Sequence, residues 1–253
     1  MNPSLLVLCP TYRRPISARA VLESFNKTKT LDSTRLVFLV YQKDEDSPAY
    51  EGDVILCPEK EMVPRVNGAL GLLDDHQYVG WIADDNRFET PGWDVEVTKA
   101  LQSHPIVFCN DVVSPGAKPS HVFMDSRIPK ALGWLILPGL HSTFADDVWA
   151  NLGVGAVDVT GPLFDPEMFV TGGFKTDAPV IYENPSGLGI TYLPHVRVNH
   201  LYIEKEAEWK TRGGTAYKVH DESDLDTYRH WLRHDAENDI AKARKALRVK
   251  SLA

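Results

Sequence analysis

The sequence predicts an α/β protein in which helices flank a mainly parallel β-sheet. Three observations support this fold class. Short, continuously apolar runs alternate with segments whose apolar residues have helical spacing. Continuous apolar runs are typical of strands that are buried on both faces of a parallel sheet. A length of 253 residues with 43% hydrophobic residues suits one globular domain with a full core.

The first half of the chain shows this alternation most clearly. Residues 5–9 form an apolar run that ends at Pro10 and predict the first strand. Residues 16–25 predict the first helix. The other predicted strands are residues 36–41, 54–57, 78–83 and 106–109, and the other predicted helices are residues 63–73 and 95–102. In such a sheet, ligands bind at the carboxyl ends of the strands.

The second half of the chain is less regular. Residues 145–152 predict a helix, whereas residues 153–189 are rich in Gly, Pro and Asp and predict a hairpin or an irregular excursion. Two short strands around Pro194 and one long helix are predicted next, at residues 190–193, 196–198 and 224–248.

Composition argues against several classes of protein. A net charge of -8 argues against a general binder of nucleic acid, which needs clustered Lys and Arg. The longest apolar runs are far shorter than the about 20 residues that cross a bilayer, so we expect no membrane span. Three widely spaced cysteines predict reduced thiols, and the start of the chain lacks the features of a signal peptide. We therefore expect a cytoplasmic protein.

Two carboxylates and an amide follow the predicted strand at residues 78–83. They are Asp84, Asp85 and Asn86, which we call the acidic turn. Hard oxygen ligands at a strand end suit Mg²⁺ or Mn²⁺ bound to a diphosphate. The alternative is a polar turn without a ligand.

The loop after the first strand carries a hydroxyl group, an aromatic ring and two guanidinium groups. This first loop, residues 10–15, reads Pro-Thr-Tyr-Arg-Arg-Pro. Its side chains are suited to contact a nucleotide base and a phosphate. The alternative is that its two prolines only shape a turn.

These motifs, in this order, resemble those of glycosyltransferase family 2 and related enzymes with the GT-A fold. They are also similar to small glycosyltransferase-like proteins of bacteriophages. The resemblance covers most of residues 5–152 and resumes at residues 192–202. It rests on the first loop, Asn67, the acidic turn and the sequence Pro-Gly-Trp-Asp at residues 91–94.

The resemblance implies a single GT-A domain that moves a sugar from a nucleotide-diphosphate donor to a hydroxyl acceptor, with inversion and with Mn²⁺ or Mg²⁺. The acceptor would be a protein, a glycan or a modified nucleic acid. A phage-encoded protein would act in the host cytoplasm. The domain would comprise a nucleotide-binding half, an acceptor-side half and a C-terminal loop and helix, at residues 1–112, 113–205 and 206–253.

The same resemblance assigns roles to individual residues. The nucleotide would contact Thr11, Tyr12, Arg14, Asp44, Arg65 and Asp84. Glu45 and Asp46 compete with Asp44, and Arg65 has the alternative of a solvated helix charge. The metal ligands would be Asp85, Asn86 and His200. The family's acidic turn usually has carboxylates on both sides of one residue, so the choice between Asp84 and Asp85 stays open, and His200 has a structural alternative.

Residues 137–149 look like the family's acceptor-side segment, where an acidic pair opens a helix. The resemblance implies that Asp147 is the catalytic base, with Asp146 as the second choice, because an inverting transfer needs a carboxylate near the acceptor hydroxyl. Their alternative role is to stabilise a helix N-terminus. Residues 210–214 would be a lid over the diphosphate or a plain linker, and residues 153–189 an acceptor-binding lobe or an oligomer contact.

Two other functions compete with this one. A nucleotidyltransferase would share the sheet and the metal, but the glycine-rich loop expected after its first strand is absent. A catalytically inactive module that binds nucleotide sugars would keep the fold without the reaction.

Overall fold

A mixed β-sheet lies at the centre of the protein. The structure is a computed structural model that describes residues 4–113, 118–141, 143–156, 169–170, 173–174, 178–182, 184–201 and 221–248. Across the sheet the strands are β10 (Val180–Tyr182), β11 (Ile190–His200), β6 (Ile106–Asn110), β7 (Val122–Asp125), β4 (Tyr78–Trp81), β1 (Leu5–Thr11), β2 (Thr34–Tyr41) and β3 (Asp53–Cys57). The strand β5 (Asn86–Phe88) pairs with the far end of β11, and β8 (Phe169–Val170) pairs separately with β9 (Gly173–Phe174).

Helices cover both faces of this sheet. They are α1 (Pro15–Thr28), α2 (Met62–Gly68), α3 (Trp93–Leu101), α4 (Arg127–Leu132), α5 (Ala145–Val154), α6 (Asp221–His234) and α7 (Ala236–Arg248). Two 3₁₀ helices lie at Ser47–Ala49 and Ala69–Asp75. Alternate residues of β1 enter two different cores: Leu6 and Leu8 face the core of α5, α6 and α7, whereas Leu5 and Val7 face the core of α1 and α3. The three cysteines are free and buried.

Most strands of the sheet run in one direction. β1 is parallel to β2 and β4, β2 is parallel to β3, and β6 is parallel to β11. The strand β7 runs antiparallel between β4 and β6. This confirms the predicted fold class, a mainly parallel, Rossmann-like sheet flanked by helices, and it is consistent with a GT-A fold.

Two predictions about the second half of the chain are wrong. The strands predicted on either side of Pro194 are one strand, β11, whose pairing with β6 shifts register between Leu193 and Arg197. Proline lacks the N–H group that a regular ladder requires, so the strand continues through a bulge. The long helix predicted over residues 224–248 is two helices, because the chain turns after His234.

The short elements β5, β7 and α4 and the 3₁₀ helix Ser47–Ala49 were not predicted from the sequence. Of residues 153–189, the structure describes the pairing of β8 with β9 and of β10 with β11, which agrees with the hairpin prediction. The proposed lid at residues 210–214 lies outside the described residues. Within the described ranges, no helix combines the length and the apolarity needed to cross a bilayer.

Candidate functional site

The strands that run in the common direction end at one edge of the sheet. β1 ends at Thr11, β4 at Trp81, β6 at Asn110 and β11 at His200. Because loops that leave parallel strands emerge at the same edge, the first loop and the acidic turn are brought together with the end of β11. We call this region the strand-end edge.

The first loop is bonded directly to the acidic turn through Asp84. The hydroxyl group of Thr11 donates to Asp84 Oδ2 at 2.8 Å, and Arg14 Nη1 donates to Asp84 Oδ1 at 2.6 Å. The carboxylate is buried, and a buried charge is stable only when it is paired in this way. Both oxygens of Asp84 therefore face the first loop.

Asp85 faces the opposite side of the turn, toward β11. His200 Nε2 lies 3.2 Å from Asp85 Oδ1, and both side chains are buried. The backbone holds this arrangement, because Leu201 N donates to Asp85 O at 3.0 Å and His200 N donates to Asp111 O at 3.0 Å. His200 is therefore paired with Asp85 and not with Asp84.

Asp85 and His200 are chemically suited to share a divalent cation. A carboxylate oxygen and an imidazole nitrogen are both ligands for ions such as Mn²⁺. Among the described residues, no group of three or more His, Cys, Asp or Glu side chains is arranged to hold a metal. Two protein ligands fit the mode in which substrate phosphates and water supply the remaining coordination positions.

Asn86 takes part in the turn itself and does not point to a ligand. Its side-chain oxygen accepts the backbone N–H of Ala83 at 2.7 Å, and the backbone N–H of Asn86 donates to the Ala83 carbonyl at 3.1 Å. The residue has no exposed surface. The prediction that Asn86 is a metal ligand is therefore not supported, because its oxygen closes the turn.

The Arg65 side chain is buried and bonded to the backbone of neighbouring segments. Its guanidinium donates to the backbone carbonyls of Thr11 at 2.6 Å and Leu39 at 3.1 Å, and also to those of Glu59 and Lys60. Only 3% of the residue is exposed, and this burial lowers the pKa of the guanidinium. The alternative of a solvated helix charge is wrong, because the side chain is buried and donates to backbone carbonyls. The phosphate contact stays a prediction.

Asp44 is the buried member of the three acidic residues that follow β2. Its Oδ2 accepts the N–H of Arg13 at 2.7 Å and the hydroxyl of Tyr50 at 3.3 Å, and its Oδ1 accepts Asp46 N at 3.0 Å. Arg13 has a left-handed backbone, with φ of 55°, so these bonds stabilise a strained loop. Asp44 thus contacts the first loop directly.

An aromatic surface lies beside the first loop. The ring of Tyr12 is half-buried and meets the ring of Tyr41 edge to face, with centroids 6.2 Å apart. The side chains of Arg13 and Lys60 lie over the Tyr12 ring, 5.5 Å and 5.9 Å from its centroid. Aromatic rings and cations together suit a planar, anionic ligand such as a nucleotide.

The acidic pair Asp146 and Asp147 begins α5, as predicted. Lys118 Nζ donates to Asp147 Oδ1 at 2.6 Å. Burial, reinforced by the charge of Asp147, raises the pKa of Asp146 to about 6. Burial lowers the pKa of Lys118, but Asp146 and Asp147 outweigh it, so that its pKa is raised. The site therefore holds two carboxyl groups and one ammonium group.

A short segment connects this acidic pair to the strand-end edge. Lys118 contacts Asp147, and two residues later Ser120 Oγ donates to Asp111 Oδ2 at 3.1 Å. The carbonyl of Asp111 in turn accepts the N–H of His200. The acidic pair and the pairing of Asp85 with His200 thus lie on directly connected parts of the fold.

Sequence reasoning missed Lys118, Ser120, Asp111 and His121. Asp111 lies just after the predicted strand at residues 106–109. The acidic turn was identified from polar residues in the same kind of position, so that reasoning could also have identified Asp111. His121 accepts the N–H of Cys109 at Nε2, and burial, followed by the charge of His200, lowers its pKa to about 3. His121 is therefore a neutral, structural histidine.

No protein-family model matches the sequence, and comparison with curated proteins finds no match. Among solved structures, the chain is similar to S. aureus TarS, residues 1–349, in complex with UDP, with 12% identity and a TM-score of 0.44 over 58% of this chain and 53% of TarS. It is similar to the mannosyltransferase PcManGT from Pyrobaculum calidifontis in complex with GDP-Man and Mn²⁺, with 12% identity and a TM-score of 0.48 over 100% and 76% of the two chains.

A third similar structure is 4-diphosphocytidyl-2C-methyl-D-erythritol synthase from Anaerococcus prevotii, with 11% identity and a TM-score of 0.40 over 52% and 74% of the two chains. The match with TarS spans about half the length of that TarS chain. These are similarities of fold at low identity, and a shared fold does not determine a reaction. The function has to be argued from the site.

Proposed function

We propose that this protein is a glycosyltransferase that moves a sugar from a nucleotide-diphosphate donor to a hydroxyl acceptor. The observation that supports the proposal is that hydrogen bonds and ion pairs connect three elements of the fold. They are the first loop bonded to Asp84, the pairing of Asp85 with His200, and the acidic start of α5 connected through residues 118–120. A donor site and a proton acceptor on adjoining segments are what this reaction requires.

The donor would lie along the first loop. Tyr12 would contact the base, and Thr11, Arg14 and Asp84 would line the path to the diphosphate, with Asp44 holding the loop in shape. Asp85 and His200 would hold Mn²⁺ or Mg²⁺. When bound, the cation supplies positive charge that offsets the charge developing on the leaving diphosphate.

The acceptor hydroxyl would be deprotonated at the start of α5 as it attacks the anomeric carbon. The sequence favoured Asp147, but Lys118 occupies Asp147 Oδ1, and Asp147 is only 6% exposed. Asp146 is half-buried, and this burial raises its pKa to about 6, which suits a carboxylate that accepts a proton near neutral pH. We therefore assign the base to Asp146 and regard Asp147 with Lys118 as its charged neighbours. Attack opposite the diphosphate would invert the anomeric carbon.

The proposal is tested by calorimetry with UDP, GDP, CDP and dTDP, each with and without Mn²⁺. We expect one of these nucleotides to bind, with an affinity that Mn²⁺ increases. The matching nucleotide sugars should release the nucleoside diphosphate slowly when water is the acceptor. Absence of binding by all four nucleotides would refute the proposal. Binding without any turnover of the matching donors would favour the inactive binding module instead.

A nucleotidyltransferase is distinguished by the products. It would release inorganic pyrophosphate from a nucleoside triphosphate, whereas a glycosyltransferase releases a nucleoside diphosphate from a sugar donor. The first loop, residues 10–15, contains two prolines and no glycine, which supports the glycosyltransferase.

A further inference from the structure

A buried carboxylate on α6 holds the loop that leads into α5. Asp224 has no exposed surface. It accepts the backbone N–H of His141 at 2.9 Å, and His141 Nδ1 lies 2.8 Å from the same oxygen. Its other oxygen accepts the backbone N–H and the hydroxyl of Thr143, both at 2.9 Å. Four hydrogen-bonding groups of one loop therefore converge on one carboxylate of α6.

The residue that follows this loop has a strained backbone. Phe144 precedes the first residue of α5 and has a φ of 62°, in the left-handed region, which is unfavourable for a residue other than glycine. Its ring stacks on Tyr228 of α6, with centroids 5.5 Å apart and an interplanar angle of 13°. Such a conformation persists only where its surroundings hold it.

The same helix also contacts the middle of α5. The hydroxyl of Tyr228 donates to Asn151 Oδ1 at 2.7 Å, and Asn151 is fully buried. Thus α6 holds α5 both before its first turn and one turn from its end. Asp146 and Asp147 lie in the first turn, between these two attachments.

We propose that Asp224 is a positioning residue for the acidic pair Asp146 and Asp147. By fixing His141 and Thr143, it sets where α5 begins and therefore where the proposed base meets an acceptor hydroxyl. This inference rests on the proposed function. It assigns to α6 a part in the chemical step.

The test is Asp224→Asn, which keeps the shape of the side chain but removes its charge and one acceptor oxygen. Two matched controls are available on the same helical pair. Asp226→Asn changes an exposed carboxylate two residues away, and Asp239→Asn changes a buried carboxylate that accepts the N–H of Trp231 and pairs with Lys242. The second control separates a general loss of stability from a local effect on α5.

Three quantities are measured on the full chain: nucleotide affinity by calorimetry, the turnover of the matching sugar donor, and hydrogen exchange at residues 143–148. A misplacement of about 1 Å at a reacting group can cost on the order of 100-fold in rate. We expect Asp224→Asn to lower kcat by about 10- to 100-fold and to accelerate exchange at residues 143–148, with the nucleotide Kd changed by less than about twofold. Both controls should keep kcat within about threefold.

Unchanged kcat in Asp224→Asn would overturn the inference while leaving the proposed function intact, provided that nucleotide binding is retained. A loss of kcat that Asp239→Asn reproduces, without faster exchange at the start of α5, would also overturn it. Failure of the unmodified protein to bind any nucleotide would refute the proposed function itself.

Discussion

His200 Nε2 lies 3.2 Å from Asp85 Oδ1, at the point where the last long strand of the sheet meets the turn after β4. Backbone hydrogen bonds from Leu201 to Asp85 and from His200 to Asp111 hold the two side chains there. Because the backbone fixes both partners, little reorganisation is needed when they share a ligand. Preorganised polar groups of this kind are typical of binding and catalytic sites.

The first prediction is that the ionised Asp146 carboxylate lowers the free energy of unfolding. Its pKa is about 6 in the folded protein and ordinarily 3.8, so the folded state binds the proton more tightly than the unfolded state. The resulting penalty is absent below about pH 3.8, grows between the two values and is complete above about pH 6. Asp146→Asn should therefore stabilise the protein at pH 8, by up to about 3 kcal/mol.

Urea unfolding at pH 5 and pH 8 measures this effect. The stabilisation by Asp146→Asn should be larger at pH 8 than at pH 5, by about 1 kcal/mol, with Asp226→Asn as the exposed control. A variant that is no more stable than the native protein at pH 8 would show that the Asp146 carboxyl is not destabilised in the fold.

The second prediction concerns the dependence of turnover on pH. If Asp146 accepts the proton from the acceptor, kcat should fall about tenfold per pH unit below about pH 6, where the carboxyl is protonated. The Asp146→Asn variant should be slower by about 100-fold or more and should lose this acid limb. If kcat of the variant still falls at low pH as in the native protein, another group is the base, and Asp147 is the next residue to test.

The third prediction follows from the carbonyl contacts of Arg65. Arg65→Met leaves buried carbonyls of Thr11 and Leu39 without their donor, so we expect the free energy of unfolding to fall by about 2–4 kcal/mol. Arg35→Met, which removes an exposed ion pair with Asp53, should cost less than about 1 kcal/mol. Equal stability of the two variants, measured by urea unfolding, would contradict the structural role of Arg65.

The fourth prediction tests the pairing of β4 with β7, a strand that the sequence did not predict. A Cβ atom at Gly80 would overlap the ring of Phe123, its partner on β7, and both residues are buried. Gly80→Ala should lower stability by about 1–3 kcal/mol through overpacking. Gly71→Ala has open space around the added atom and should be neutral within about 1 kcal/mol. A neutral Gly80→Ala would argue against the pairing of β4 with β7.

The elements that the sequence predicted well are those with strong local patterns. The apolar run at residues 5–9 has no polar interruption, and it became β1 with every residue buried. Likewise, the parallel direction of the strands follows from the alternation with helices, so the meeting of Thr11 with Asp84 was predictable.

The elements that were missed depend on contacts distant in sequence. The strand β7 has only four residues, Val122–Asp125, and is defined by pairing with β4 on one side and β6 on the other. Arg65 resembles a surface charge in the sequence, and only the fold shows that backbone carbonyls surround it. The pairing of Lys118 with Asp147 is equally invisible without the fold, because no local pattern connects those two residues.

The most direct test of the central claim is the Mn²⁺ dependence of nucleotide binding in Asp85→Asn, measured by calorimetry beside the exposed control Asp53→Asn. The proposed site predicts that Mn²⁺ strengthens binding about 10- to 100-fold in the native protein and in the control, and by less than about threefold in Asp85→Asn. An Asp85→Asn protein that binds nucleotide as tightly, and with the same response to Mn²⁺, as the native protein would contradict the account.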